Sequence, residues 1–267
     1  MITKFKDYLV KCNLAKSTIA SYVSTVEFYV KNYSDVSKGS LLAYKGYLLE
    51  NFKPQTVNLR VQALNKYLEF LEQEDLKMKF VKVQQKNFLE NVISDADYKF
   101  LKAKLKEDEM MDWYFVVWFL AATGARVSEL LQIKAEHVVA GHVDIYSKGG
   151  KVRRLYIPLN LRDEALGWLR NKNVYSGYIF LNRYGNRITP RGVGSQLKHF
   201  AEIYGLNRDV MYPHSFRHRF AKNFLERFND LALLADLMGH ESLETTRIYL
   251  RRTASEQRRI IDSVVDW

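Results

Sequence analysis

The stretch that most limits how this chain can fold is MDWYFVVWFLAATG, Met111 to Gly124. It is apolar nearly all round, so a helix formed from it has no face that can be left in water. It is shorter than the ~20 residues of a membrane span, and no other apolar run in the chain reaches that length. The stretch predicts a central helix covered on every side by other elements, with Gly124 as its stop. A chain of 267 residues can supply that cover and still hold a second unit.

Upstream, the pattern reads as helix only. Ser17 is placed to cap a helix whose apolar positions Ile19, Tyr22, Val23, Val26 and Val30 share one face. After Lys53-Pro54, apolar residues recur at Val57, Val61, Leu64, Leu68 and Leu71, in steps of four and three. A shorter helix spans Leu41 to Leu49. Four helices in about 75 residues predict a small bundle. A charged, weakly periodic segment near Lys77 to Glu90 then reads as a linker between a unit of residues 1–85 and one of residues 90–267.

In the second unit, Ser94-Asp95-Ala96-Asp97 resembles a capping box, and ARVSELLQI starts a helix after Gly124. HVDIYSK and VRRLYIPL, joined by GGK, read as a β-hairpin. Helices follow at Asp163–Arg170, Pro190–Tyr204, Ser215–Arg227, Leu231–Met238, Leu243–Tyr249 and from there to Trp267. The expected class is mainly α with one small β-sheet, an α+β arrangement.

The net charge of +11 suits a polyanion, most simply nucleic acid. Residues 1–89 hold 14 Lys and Arg against 8 Asp and Glu, and 13 of those 14 are lysines, whereas arginines dominate the last third. Lysine is a flexible point charge for a phosphate backbone; arginine's fork suits a defined two-oxygen contact. Lys16, Lys53, Arg60, Lys151, Arg153 and Arg247 are the expected backbone contacts. The N-terminus keeps its charges and has no signal-peptide core, which predicts a cytoplasmic, nucleoid-associated protein without a membrane partner. The single cysteine, Cys12, excludes an internal disulfide and a Cys-based zinc site.

Four stretches carry candidate chemistry. ATGARVSEL sets Arg126 after the buried helix, with Glu129 one turn on to orient it. YSKGGKVRRLYIP places Lys148 at a hairpin tip. PHSFRHRF sets His214 ahead of a helix and Arg217 three positions later, so both can converge on an anion at a helix N-terminus. LMGHESLETTRIYL gives His240 and, nine positions on, Tyr249. Taken singly, each has a bland alternative: a surface ion pair, a solvated turn, a core tyrosine. His214 and His218 are four apart, as metal ligands can be, but no carboxylate or cysteine in the stretch completes a site. No acidic cluster and no Gly-rich phosphate loop point to a metal or nucleotide, so no cofactor is expected.

Together the set suits phosphodiester chemistry, in which catalysis is mostly positioning and charge stabilisation. Two arginines can clamp the non-bridging oxygens, and a tyrosine can be the covalent nucleophile. Its free pKa of ~10 means it needs a neighbour to take its proton.

In order and spacing these residues resemble the tyrosine recombinases, the phage integrase family, of the simple two-domain Xer-like kind. Arg126 matches the arginine of ATGxRxSEL, Lys148 the first lysine of GKGxKxRxVP, and His214 and Arg217 those of HxLRH, with Phe216 in place of leucine. His240 and Tyr249 match LGHxSxxTTxxY, with Met238 in place of leucine. The match by motif covers about residues 90–267; residues 1–85 resemble the family's helical, SAM-like core-binding domain by pattern only. The resemblance implies that Tyr249 attacks the scissile phosphate, leaving a 3′-phosphotyrosyl link and a 5′-hydroxyl. It implies that Arg126 and Arg217 hold the non-bridging oxygens, Lys148 protonates the 5′ oxygen, His214 assists proton transfer from Tyr249, and His240 bonds the phosphate. Neither ATP nor metal is implied. The implied partner is duplex DNA, clamped by a protein that is monomeric in solution and tetrameric on two sites; an accessory protein is left open. The segment Thr253–Trp267 would dock on its own domain or on a neighbour. Two other classes fit the same residues: a non-catalytic DNA-binding protein that keeps the fold, and a type IB topoisomerase acting as a monomer.

Overall fold

A computed structural model describes the chain except residues 34, 84–90, 147–151, 241, 251–253 and 266–267. It divides into two compact units, Met1–Gln85 and Lys86–Trp267.

The first unit is four helices: α1 (Ile2–Lys11), α2 (Lys16–Asn32), α3 (Lys38–Asn51) and α4 (Pro54–Phe70). The α4 period is the one read from sequence. Val57, Val61, Leu64 and Leu68 are buried against Phe5, Val26, Tyr44 and Leu48. Pro54 opens α4, where its missing N–H costs nothing. Ser17 does not cap α2: the helix begins at Lys16, its N-cap is Ala15, and no side chain caps it. Beyond a single 3₁₀ turn at Glu74–Leu76, the extended chain lies along α4. Asn65 pairs with both the N–H and the C=O of Met78, at 2.8 and 2.9 Å, and Asn58 does the same with Val81.

In the second unit, α5 (Asp95–Glu107) is capped by Ser94, whose hydroxyl accepts from the Asp97 N–H at 3.0 Å. The apolar stretch forms α6 (Met111–Thr123), with nine buried residues. It packs against α5, α9 (Leu159–Asn171) and α11 (Pro213–Arg227), so helices cover it as its composition demands. Gly124 ends α6 at φ +62°, and a Cβ there would lie 2.4 Å from the Phe220 ring. That missing side chain lets α11 come up to the end of α6.

After α7 (Val127–Leu130) and α8 (Ala135–Ala140), strands β1 (His142–Tyr146) and β2 (Val152–Tyr156) pair antiparallel, His142 opposite Tyr156 and Tyr146 opposite Val152. The segment between them, with Lys148 and Lys151, lies outside the described residues. Helices α10 (Pro190–Ile203), α12 (Leu231–Met238), α13 (Leu243–Arg247) and α14 (Ala254–Val264) complete the unit. Several boundaries differ from the pattern reading. Helix α9 starts at Leu159 rather than Asp163, and α11 takes in Pro213 and His214, since proline is at home in a first turn. Tyr249 lies in a 3₁₀ turn, Ile248–Leu250, rather than in the α-helix before it.

Candidate active site

The site is organised by the C-terminal end of α12. The last carbonyls of a helix lack intrahelical partners and carry the negative end of its dipole. Here three consecutive ones each take a different arginine. Leu237 O accepts from Arg153 Nη1 at 2.6 Å, Met238 O from Arg217 Nη2 at 2.6 Å, and Gly239 O from Arg126 Nη2 at 3.2 Å. Gly239 makes this possible. It sits at φ +61°, and a Cβ on it would lie 2.3 Å from Arg153 Cδ.

Glu129 completes the scaffold. Its carboxylate accepts from the Arg126 backbone N–H at 2.7 Å, from Arg126 Nη1 at 3.0 Å, and from Arg153 Nη2. Burial alone would push this carboxyl up, but the Arg126 N–H and the Arg153 charge outweigh it and hold it below the usual range. Arg217 is 1% exposed and gives Nη1 to Gly124 O at 2.6 Å. Burial, with the charge of Arg126, brings Arg217 down to about 10, still cationic at neutral pH.

His240 follows Gly239. Its Nε2 lies 3.1 Å from Arg217 Nη2 and its Nδ1 lies 2.8 Å from Thr246 Oγ1. Burial and the three surrounding arginines push it down to about 4. Tyr249 is buried, 6% exposed, with its ring between those of His218 and His240, at centroid distances of 5.4 and 6.1 Å. Burial raises the Tyr249 hydroxyl above its ordinary value, while Arg217 and Arg126 pull the other way. The phenol is therefore protonated at neutral pH. His214, in the first turn of α11, has its ring 5.7 Å from that of His218. It is held below the ordinary histidine value by burial, then by Arg217 and Arg126.

The structure thus brings Arg126, Glu129, His214, Arg217, His240 and Tyr249 into one place. An open groove of about 770 Å³ passes Arg126, Arg153 and His240. Such a site offers converging cationic donors for an anion and a neutral imidazole beside a phenol.

Residues 91–256 match the sequence profile of the phage integrase family. Tyrosine recombinase XerA of Pyrococcus furiosus is 30% identical over 98% of this chain and 93% of its own. The chain belongs to the phage integrase family, the tyrosine recombinases. Two solved structures share the fold. The Tn1549 transposon integrase in complex with circular intermediate DNA has a TM-score of 0.73 at 15% identity, covering 99% of each chain. A lambda integrase tetramer bound to a Holliday junction has a TM-score of 0.74 at 14% identity, covering 94% of this chain and 78% of that one.

Within this integrase-family site, one expected DNA contact needs correction. Arg153 is not a free surface cation: its side chain is 11% exposed, and both Nη atoms are taken by Glu129 and Leu237. Lys16 and Lys53 are exposed at the starts of α2 and α4. Arg60 lies over the Phe52 ring at 3.9 Å, and Arg247 pairs with Glu244 at 2.9 Å. No group of three potential metal-ligating side chains occurs among the described residues, His214 and His218 included. No helix among them is long and apolar enough to cross a membrane. Sequence reasoning missed Thr246 and the inward role of Arg153. Thr246 had a signal, since it belongs to the TTxxY motif and lies one turn before the tyrosine. Arg153 had a weaker one, strand alternation, which sets it on the same face as the buried Leu155 and turns Arg154 outward.

Proposed function

We propose that the chain is a site-specific recombinase that cuts and rejoins DNA strands, with Tyr249 as nucleophile and a 3′-phosphotyrosyl intermediate. One observation carries the assignment of roles: Arg126 and Arg217 are gathered at the end of α12 beside a buried, protonated tyrosine and a neutral histidine. The two guanidiniums hold the non-bridging oxygens of the scissile phosphate, where charge builds up in the transition state. His240 is the third phosphate contact. His214 helps take the Tyr249 proton, which has to leave as the O–P bond forms. Lys148 protonates the departing 5′ oxygen. The P–O bond energy is kept in the protein–DNA link, so the reverse attack by a 5′-hydroxyl rejoins the strand.

The first unit serves as the core DNA-binding domain, with Lys16, Lys53 and Arg60 toward the backbone, and residues 90–267 form the catalytic domain, with Lys151 and Arg247 as its contacts. The partner is duplex DNA, and the working assembly is a homotetramer on two sites, as the lambda integrase likeness suggests. Exposed Ile261, Val264 and Val265 of the C-terminal segment give it an apolar surface for a neighbouring protomer.

The test is adduct formation on a library of nicked and gapped duplexes in EDTA. A denaturant-resistant protein–DNA adduct that disappears in Tyr249→Phe is the expected result. Undiminished cleavage by that variant would remove Tyr249 from its role. Relaxation of supercoiled DNA without site preference or joining would mark a topoisomerase instead.

A further inference from the structure

Helix α11 has two working faces. One carries His214, Arg217 and Ala221 toward Tyr249 and His240. The other carries Tyr212, Ser215, Phe216, Arg219 and Asn223, at helical spacing, and each of these is gripped by the chain that enters the second unit. The Tyr212 hydroxyl donates to Asn91 O at 3.1 Å. Ser215 Oγ, 0% exposed, accepts from the Ile93 N–H at 2.7 Å. Arg219 pairs with Asp95 at 2.7 Å and covers the Tyr98 ring at 4.0 Å, Tyr98 meets Phe216 edge-on, and Asn223 reaches Asp95 at 3.4 Å.

The first turn of α11 needs such support. Its first N–H groups lie ahead of the regular helical ladder, its N-cap residue Tyr212 makes no side-chain cap, and Pro213 has no N–H to give. What steadies the turn carrying His214 is the end of the linker.

The linker's other end is held as well. Asn58 and Asn65 lie seven residues apart on α4, a rise of about 10.5 Å. Val81 and Met78 lie three apart in extended chain, a span of about 10 Å. The two repeats match, so each asparagine amide serves one linker residue as a strand neighbour would, and Lys45 Nζ adds a bond to Lys79 O at 2.6 Å.

We propose that Tyr212 and Ser215 are positioning residues for His214, bracing the turn that carries it against the chain at Asn91 and Ile93. The proposal rests on the recombinase reading only for what His214 does in catalysis.

The experiment is an NMR titration of the histidine imidazoles in the full-length protein, wild type against Tyr212→Phe and Ser215→Ala, with His214→Gln to assign the signal. Arg126 and Arg217 face His214, and the His218 ring packs on it. His214 is itself exposed, so what a loosened turn changes is chiefly its distance from the Arg217 and Arg126 charges that also hold it down. The His214 midpoint then rises toward the ordinary histidine value. Tyr249-dependent adduct formation slows several-fold at unchanged DNA affinity. Tyr212→Phe removes one hydroxyl and keeps the ring, so it decides the matter even where Ser215→Ala fails to fold. A folded Tyr212→Phe protein with the wild-type His214 midpoint and adduct rate overturns the proposal. A shifted midpoint in a protein that forms no adduct on any DNA keeps the brace and sinks the recombinase reading instead.

Discussion

Arg217 Nη2 lies 3.1 Å from His240 Nε2. A guanidinium only donates, so His240 Nε2 accepts and carries no proton. The ring proton is on Nδ1 and goes to Thr246 Oγ1, 2.8 Å away. Thr246 is fully buried. Its hydroxyl therefore accepts the Nδ1 proton of the tautomer that Arg217 imposes, the one that lets one histidine and one arginine share a site without repulsion.

Thr246→Val keeps the shape and removes the acceptor. Leaving a buried N–H unpaired costs about 1–3 kcal/mol, and the cheapest relief is a flipped or re-tautomerised His240. Adduct formation with Tyr249 should fall about tenfold or more, since ~1.4 kcal/mol corresponds to a decade in rate. DNA affinity should hold. Single-turnover cleavage by Thr246→Val at the wild-type rate would show that the Thr246 bond is not what holds His240 in place.

Much of this was legible in the residues, for physical reasons that differ by element. The all-apolar stretch Met111–Gly124 could only be a buried helix, and α4 declared itself by strict periodicity. The site residues were legible through their joint order. What the sequence hid were contacts made by backbone. The arginines Arg126, Arg153 and Arg217 meet at carbonyls 237–239, which any residue types could supply. Likewise α11 begins two residues earlier than Ser215 because Pro213 suits a first turn, a tertiary choice that side-chain pattern does not record.

Glu129 predicts a pH-dependent stability. Its carboxyl is held below the ordinary range in the folded protein, so the unfolded state binds the proton more readily. The stability it contributes is present above the unfolded value of ~4.3 and is lost as pH falls through the folded value. Glu129→Gln, which leaves Arg126 and Arg153 without their shared anion, should destabilise the protein at pH 7 by up to ~3–5 kcal/mol. The gap between the two proteins should narrow steadily below pH ~4, as wild-type Glu129 itself becomes protonated. Urea unfolding of both across that range checks it; a constant gap would mean that shape, not charge, is what Glu129 provides.

His218 and His240 act with the same sign. Burial brings both down to about 4, while unfolded imidazoles titrate near ~6.5. The unfolded state thus takes up protons first as pH drops. Stability should be full above ~6.5 and should decline from there toward the folded values. His218→Phe keeps a ring between His214 and Tyr249 and cannot titrate. Its melting temperature should fall less than the wild type's between pH 7 and pH 5. Equal falls would assign the acid sensitivity to other groups.

Gly239 and Gly185 form a matched pair for the last test. Both have left-handed backbone, φ +61° and +75°, so alanine carries a similar conformational penalty at each, about 1–2 kcal/mol. Around Gly185 a new methyl meets nothing within 4 Å. At Gly239 it meets Arg153 Cδ at 2.3 Å and Nε at 2.5 Å, and that side chain is already tied to Glu129 and Leu237. The arginine can give way only by releasing Glu129, which also positions Arg126. Gly239→Ala should therefore lose adduct formation by more than its change in unfolding free energy accounts for, while Gly185→Ala loses a little stability and keeps its cleavage rate. Equal behaviour of the two variants would mean that Arg153 moves aside freely and does not hold the site together.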